Sequence, residues 1–194
     1  MEIFNVGNQS INCYLIASNT HRLLIDTGFP NSLNNLGREM RKTGFKVSDI
    51  NYLIVTHFHI DHAGAIQELK DQGVRFILVD IQQKFIEPME KMAFGKWQYT
   101  PLKSSDNVVI AANDSRKFLK GIGLNGLIVS TPGHSEDSIT LILDSGEAFT
   151  GDLYAEYLLT ENDVEQIQSW NKLKQLGIKE VYPGHGNVYR IHKT

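Results

Sequence analysis

The chain has 194 residues, 41% hydrophobic and 21% charged, enough for a sizeable core and ordinary for a globular protein. Its formal net charge of −3 leaves no basic footprint for DNA or RNA, and no apolar run approaches the ~18 residues of a membrane span. A single cysteine, Cys13, rules out an internal disulfide framework and a cysteine-rich zinc site.

A lone thiol in an apolar stretch reads as a core residue in a reducing compartment. The N-terminus has no basic region followed by an apolar core, so a cytoplasmic protein without a signal peptide is expected. Residues 11–17 and 22–26 read as a hairpin, and Asp26-Thr27-Gly28 closes its second strand with turn chemistry. Residues 30–43 have helical spacing, with Leu33, Leu36 and Met40 on one face and Gly44 as the stop. A buried strand is expected at 52–56, a helix at 63–72, a strand at 74–79 and a helix at 82–92. Within that last helix Pro88 must start a turn or kink it. Residues 93–106 are irregular and aromatic. They are a candidate lid over the site, although aromatics in a loop are more often anchors on the core. Strand-like segments follow at 108–111 and 127–130, then a hairpin over 138–143 and 147–150. A helix at 161–176 carries Val164, Ile167, Trp170, Leu173 and Leu176 as a core stripe, and a short strand at 181–182 comes last. Strands followed by helices in each half suit two packed sheets with helices outside, in one domain spanning 1–194.

Directly after the 52–56 strand comes His57-Phe58-His59-Ile60-Asp61-His62. Random placement of 7 His and 11 Asp in 194 residues would give this spacing in about 5 of 10,000 such chains, so chance is a weak explanation. Burying three imidazoles and a carboxylate together without a metal would be costly. On one continuous helix His59 would point about 200° away from His57, so the motif works only where a strand turns into a helix. There His57 and His59 can converge on one ion, while Asp61 and His62 reach a second. Three more ligand candidates follow strands and a turn glycine: His134 in Thr131-Pro132-Gly133-His134, Asp152 in Thr150-Gly151-Asp152, and His185 in Tyr182-Pro183-Gly184-His185-Gly186. Together they give five imidazoles and two carboxylates, the inventory for two metals, with Asp152 as the shared bridge. His21 reads as a turn residue and His192 as part of the terminus.

On these segments, together with Leu24-Ile25-Asp26-Thr27-Gly28, the chain resembles the metallo-β-lactamase superfamily, within it most nearly the glyoxalase II-like group. The resemblance implies an α+β, four-layer αββα sandwich with the site at one edge of the sheets. It implies that His57, His59 and His134 hold a first metal, that Asp61, His62 and His185 hold a second, and that Asp152 bridges. Asp26 would orient a ligand without binding metal itself. Two departures from that group stand out. The sequence ends nine residues after His185 (194 − 185), where glyoxalase II carries a helical domain for glutathione thioesters, so that substrate is not expected. Glu136-Asp137 also stands where relatives often have Pro-Gly; the pair would either disfavour anionic substrates or form a solvated turn, the second being the stronger expectation.

The implied chemistry is hydrolysis of a carboxylic ester, lactone or thioester of a small-molecule substrate. Two zinc ions, with iron or manganese as alternatives, would make hydroxide available near neutral pH. Asp61 would guide a proton, and Tyr154 and Tyr157 would face the substrate. The alternative is a mononuclear iron-dependent sulfur dioxygenase built on residues matching His57, His134 and Asp152, since His and Asp sites accept either metal. A phosphodiesterase or nuclease role is disfavoured by the charge, and no nucleic-acid or membrane partner is expected.

Overall fold

A computed structural model of the chain describes residues 1–8 and 10–191. The first half contains β1 (Glu2–Asn5), β2 (Tyr14–Ala17), β3 (Arg22–Ile25), α1 (Leu33–Lys42), β4 (Tyr52–Ile54), α2 (Ile60–Ala63), α3 (Ile66–Asp71), β5 (Arg75–Val79), α4 (Ile86–Ala93) and β6 (Val108–Ile110). The second contains α5 (Ser115–Gly121), β7 (Gly126–Ser130), β8 (Ile139–Leu143), β9 (Glu147–Gly151), α6 (Val164–Gln175), β10 (Glu180–Pro183) and β11 (Tyr189–Arg190). One sheet has the order β1-β2-β3-β4-β5-β6, antiparallel up to β3 and parallel beyond it. The other has the order β11-β10-β9-β8-β7, with only β9 and β10 parallel.

The layering follows from which way successive side chains point. Leu15 of β2 and Leu24 of β3 face outward onto Leu36 and Met40 of α1, Ile66 and Leu69 of α3, and Met89 of α4. Their neighbours Ile16, Leu23 and Ile25 face inward and join Leu141, Leu143 and Phe149 of the second sheet. On the far side of that sheet Ile142, Ala148 and Val181 pack on Trp170 and Leu173 of α6. Period-two alternation thus gives the central strands two buried faces, which is why they read as continuous apolar runs. The result is the expected αββα sandwich. Cys13 is buried, as its surroundings suggest. No helix is long and apolar enough to cross a membrane among the described residues.

Several expectations change in detail. The helix expected at 63–72 is α3 at Ile66–Asp71, and a separate short helix, α2, precedes it and carries Asp61 and His62. The helix expected at 82–92 is a 3-10 helix over Asp80–Phe85 followed by α4, and Pro88 falls in the first turn of α4, where a missing N–H costs least. The edge strands β1 and β11 and the helix α5 are additional elements. The stripe on α6 is narrower than its periodicity suggests. Val164 and Leu176 are 57% and 42% exposed, while the polar residues Gln166 and Ser169 are buried beside Trp170 and Leu173. The reason is that α6 covers loops as well as the sheet. Ser169 Oγ donates to Pro132 O at 2.7 Å, and Gln166 Oε1 accepts from Tyr154 N at 3.0 Å. In residues 93–106 two of the aromatics act as anchors, while Phe94 is 87% exposed. Trp97 stacks on Phe29 with centroids 4.9 Å apart, Tyr99 packs on the outer core, and its hydroxyl donates to Glu90. His21 sits in the β2–β3 turn, its Nδ1 3.0 Å from Thr20 Oγ1. His192 lies outside the described residues.

Candidate metal centre

The side chains expected to bind metal meet where strands of both sheets end. After β4 the chain stays extended through His59, at φ −89° and ψ 152°. His57 and His59, two apart, therefore point the same way. Phe58 between them points oppositely into the outer core, edge-on to Phe76. The helix α2 then starts, and Asp61 and His62 project from its first turn. His134 follows β7, Asp152 follows β9 and His185 follows β10.

Two groups of ligand atoms result: His57, His59 and His134 in one, and Asp61, His62, Asp152 and His185 in the other. His59 Nδ1 lies 3.0 Å from both His57 Nε2 and His134 Nε2. A single ring nitrogen cannot hydrogen-bond productively to two others that are themselves aimed at the same point. Tetrahedral nitrogen ligands about 2.0–2.1 Å from an ion stand about 3.3 Å apart, close to this spacing. In the second group His62 Nε2 is 3.2 Å from Asp152 Oδ1 and 3.6 Å from Asp61 Oδ2, and His185 Nε2 is 3.5 Å from Asp61 Oδ2. Asp152 Oδ2 reaches both groups, at 3.4 Å from His185 Nε2, 3.6 Å from His134 Nε2 and 4.0 Å from His57 Nε2.

The residues fit divalent cations on a further observation. His62 Nε2 and Asp152 Oδ1 are buried polar atoms with no hydrogen-bond partner, a cost that coordination would remove. Exposure is graded across the centre. The side chains of His57 and His62 are fully buried, whereas His185 is 45% exposed, so the site opens toward His185.

Electrostatics support neutral imidazoles at one end and a charged partner network at the other. Burial, with the neighbouring histidines, holds His57 well below its usual range, leaving it neutral as a ligand must be. His62 is pulled down by burial, but Asp26 and Asp152 outweigh this and push it up to about 10. Burial raises the Asp152 carboxyl, yet His62, His185 and His134 bring it below its ordinary value.

Behind the ligands lies a rigid polar frame. Asp26, at φ 62°, is buried at 2% exposure. Its Oδ1 accepts from Thr56 N at 2.7 Å and its Oδ2 accepts from His62 Nδ1 at 2.9 Å, which turns His62 Nε2 toward the centre. Asp26 thus has the orienting position expected of it. Asp137 is not a solvated turn residue. It is 3% exposed, and its Oδ2 accepts from Phe58 N at 2.6 Å, pinning the backbone between His57 and His59. Glu136 alone is exposed, 3.7 Å from Lys84. Gln82, fully buried, donates toward Val55 O, Thr56 O and Asp137 O and ties the same loop down. Asn12 does this for His185: its Nδ2 donates to Pro183 O at 2.9 Å and Gly186 O at 2.8 Å, and its backbone N donates to Gly184 O. The sequence singles out Asp137 for the wrong role and gives Gln82 and Asn12 none. Only Asn12 left a trace, as a polar residue between Ile11 and Cys13 in an apolar run.

The turn glycines have two distinct reasons. Gly151 needs its positive φ of 56°. Gly184 is required for space, because a Cβ there would lie 2.4 Å from Asp152 Oδ1 and 2.6 Å from His62 Cε1. Tyr154 and Tyr157, the expected substrate contacts, are exposed and line a cavity of about 330 Å³ whose wall includes Asp152 and His185.

The sequence pattern described as Metallo-beta-lactamase superfamily matches residues 6–185. A Beta-lactamase-like protein 2 homolog of Drosophila melanogaster is 28% identical over 188 residues, covering 93% of this chain and 60% of the relative. An Atrochrysone carboxyl ACP thioesterase of Aspergillus fumigatus is 31% identical over 189 residues, covering 93% and 52%. A probable metallo-hydrolase of Methanocaldococcus jannaschii is 30% identical over 190 residues, covering 92% and 89%. The chain therefore spans little more than half the length of the first two and most of the third. Among solved structures, a metallo-beta-lactamase family protein of Thermus thermophilus superposes with a TM-score of 0.70 at 19% identity, over 93% of this chain and 70% of that one. That likeness is one of fold.

Proposed function

The chain belongs to the metallo-beta-lactamase superfamily, and from that premise we propose that it is a dinuclear metal hydrolase of a carboxylic ester, lactone or thioester. The observation that carries this reading is Asp152, whose Oδ2 faces His185 of one ligand group and His134 of the other at 3.4 and 3.6 Å. A carboxylate so placed suits two cations side by side. His57, His59 and His134 would hold one, and Asp61, His62 and His185 the other, zinc being the best match to an all-nitrogen and carboxylate donor set. When bound, such ions acidify a water and polarise a carbonyl oxygen.

The chain's own residues account for the rest. Asp26 holds His62 in the tautomer that presents Nε2 to the centre. Asp61, partly open to solvent, is placed to accept a proton from the attacking water and pass it on. Tyr154, its ring 6.2 Å from that of His134, can donate to oxygen developing charge on the substrate. A relative named as a thioesterase supports carbonyl hydrolysis over phosphodiester cleavage, and another named as a probable metallo-hydrolase supports metal-dependent hydrolysis.

The experiment is a panel of a lactone, a thioester, a carboxylic ester and a phosphodiester, assayed with zinc, manganese or iron. Turnover of a carbonyl substrate that a chelator abolishes and added metal restores is expected, with His59→Ala reduced to background. Hydrolysis intact in His59→Ala, or oxygen uptake in place of hydrolysis, would refute it.

A further inference from the structure

The cavity beside the metal centre does not end at Tyr157. A second cavity of about 640 Å³ opens beyond it, between Trp170 and Ile191. The two share Tyr157, Asn187 and Tyr189 in their walls and adjoin across the Tyr157–Tyr189 ring pair, centroids 6.5 Å apart, as one open trough whose inner end is at Asp152 and His185. Its volumes fall within the roughly 300–1,000 Å³ typical of small-molecule sites. Its exposed lining includes large apolar side chains beside Glu156, Asn187 and Arg190: Tyr157 is 80% exposed and Leu158 is 63% exposed. Contiguous exposed apolar surface of this kind marks a place where an apolar partner belongs. The charges at the rim are occupied by one another. Glu156 pairs with Lys174, and Arg190 pairs with Glu180 at 3.2 Å. The trough therefore offers an anionic substituent no unpaired cation among these rim residues.

Resting on the hydrolase reading above, we propose that this trough is the acyl subsite and that the enzyme selects esters or thioesters with a long, uncharged acyl group. A carbonyl placed at the metal centre would send its acyl chain over Leu158 and across the edge-to-face pair of Tyr157 and Tyr189, whose ring centroids are 6.5 Å apart, into the second cavity. Asn187, on the exposed loop between β10 and β11, lines both cavities where they adjoin.

The test uses the metal-loaded protein with p-nitrophenyl acetate, butyrate, octanoate and hemisuccinate. Each buried methylene is worth about fourfold, so partial burial of the octanoyl chain should raise kcat/KM at least about tenfold over acetate. The hemisuccinate should fall below the butyrate. Asn187→Phe, which puts a ring where the two cavities adjoin, should bring the octanoate-to-acetate ratio down toward one. Binding is read separately by titrating octanoate into a Trp97→Phe variant, where Trp170 is the remaining tryptophan; its fluorescence should change saturably with octanoate and not with acetate. Equal kcat/KM for acetate and octanoate, a preferred hemisuccinate, or a silent Trp170 would overturn the proposal. Failure to hydrolyse any ester, lactone or thioester would instead sink the hydrolase reading, and the fluorescence titration would still decide what the trough binds.

Discussion

Asp26→Asn is the sharpest perturbation of the frame behind the metal centre. The carboxylate accepts three buried donors, Thr56 N at 2.7 Å on Oδ1, and His62 Nδ1 and the rotatable Thr56 Oγ1, each at 2.9 Å, on Oδ2; the two N–H donors are fixed in direction. An amide of the same shape has one acceptor and one donor, so either orientation sets N–H against N–H. If the amide oxygen serves Thr56, the amide nitrogen forces His62 to accept at Nδ1 and to carry its proton on Nε2, the atom facing the second ligand group. If it serves His62, Thr56 N is left facing a donor inside the protein. A frustrated buried donor costs about 1–3 kcal/mol, and 1.4 kcal/mol is about tenfold in binding. Affinity for the second ion should therefore fall about 10- to 100-fold, while the His57–His59–His134 group keeps its ion. Competition with a chromophoric chelator resolves the two steps, and circular dichroism confirms the fold. Two wild-type binding steps in Asp26→Asn, or equal weakening of both, would refute the tautomer argument.

Other consequences are as direct. Gly184→Ala should lose metal binding and activity together, because its Cβ falls 2.4 Å from Asp152 Oδ1; overpacking of this kind costs about 1–3 kcal/mol, and a variant that binds metal normally would show that the loop shifts freely. Asp137→Asn can still accept from Phe58 N through its amide oxygen, whereas Asp137→Ala orphans that buried donor; the Ala variant should melt lower by about 1–3 kcal/mol of stability and weaken the first ion, with the Asn variant between it and wild type. His62 holds a proton up to about pH 10 without metal, so an ion taking Nε2 must expel it. Metal affinity should then rise with pH up to that value. Calorimetry at pH 8 should show heats that depend on the buffer's ionisation enthalpy, and identical heats in all buffers would count against a protonated His62.

Much of this was legible in the sequence because the metal ligands come in compact motifs at strand ends. The seven ligand positions, the αββα layers and the orienting place of Asp26 were all expected there, and the structure brings those residues to the same places. What escaped depends on long-range packing. Asp137 and Glu136 are adjacent acids, and only the approach of Phe58 N makes one of them a buried clamp. Gln166 and Ser169 broke the apolar stripe of α6, and only the loops beneath that helix explain why. The helix α5 offered little periodic signal, since Ser115 and Leu119 are its only buried residues. Gly184 looked like a turn glycine and is required instead by the space between Asp152 and His62.

The central claim is that one carboxylate serves two neighbouring ions, and metal content measures it most directly. Protein saturated with zinc and freed of excess should carry two ions per chain, while Asp152→Ala should carry at most one and lose ester and thioester hydrolysis. One ion per chain at saturation in the wild type, or two ions and retained hydrolysis in Asp152→Ala, would contradict it.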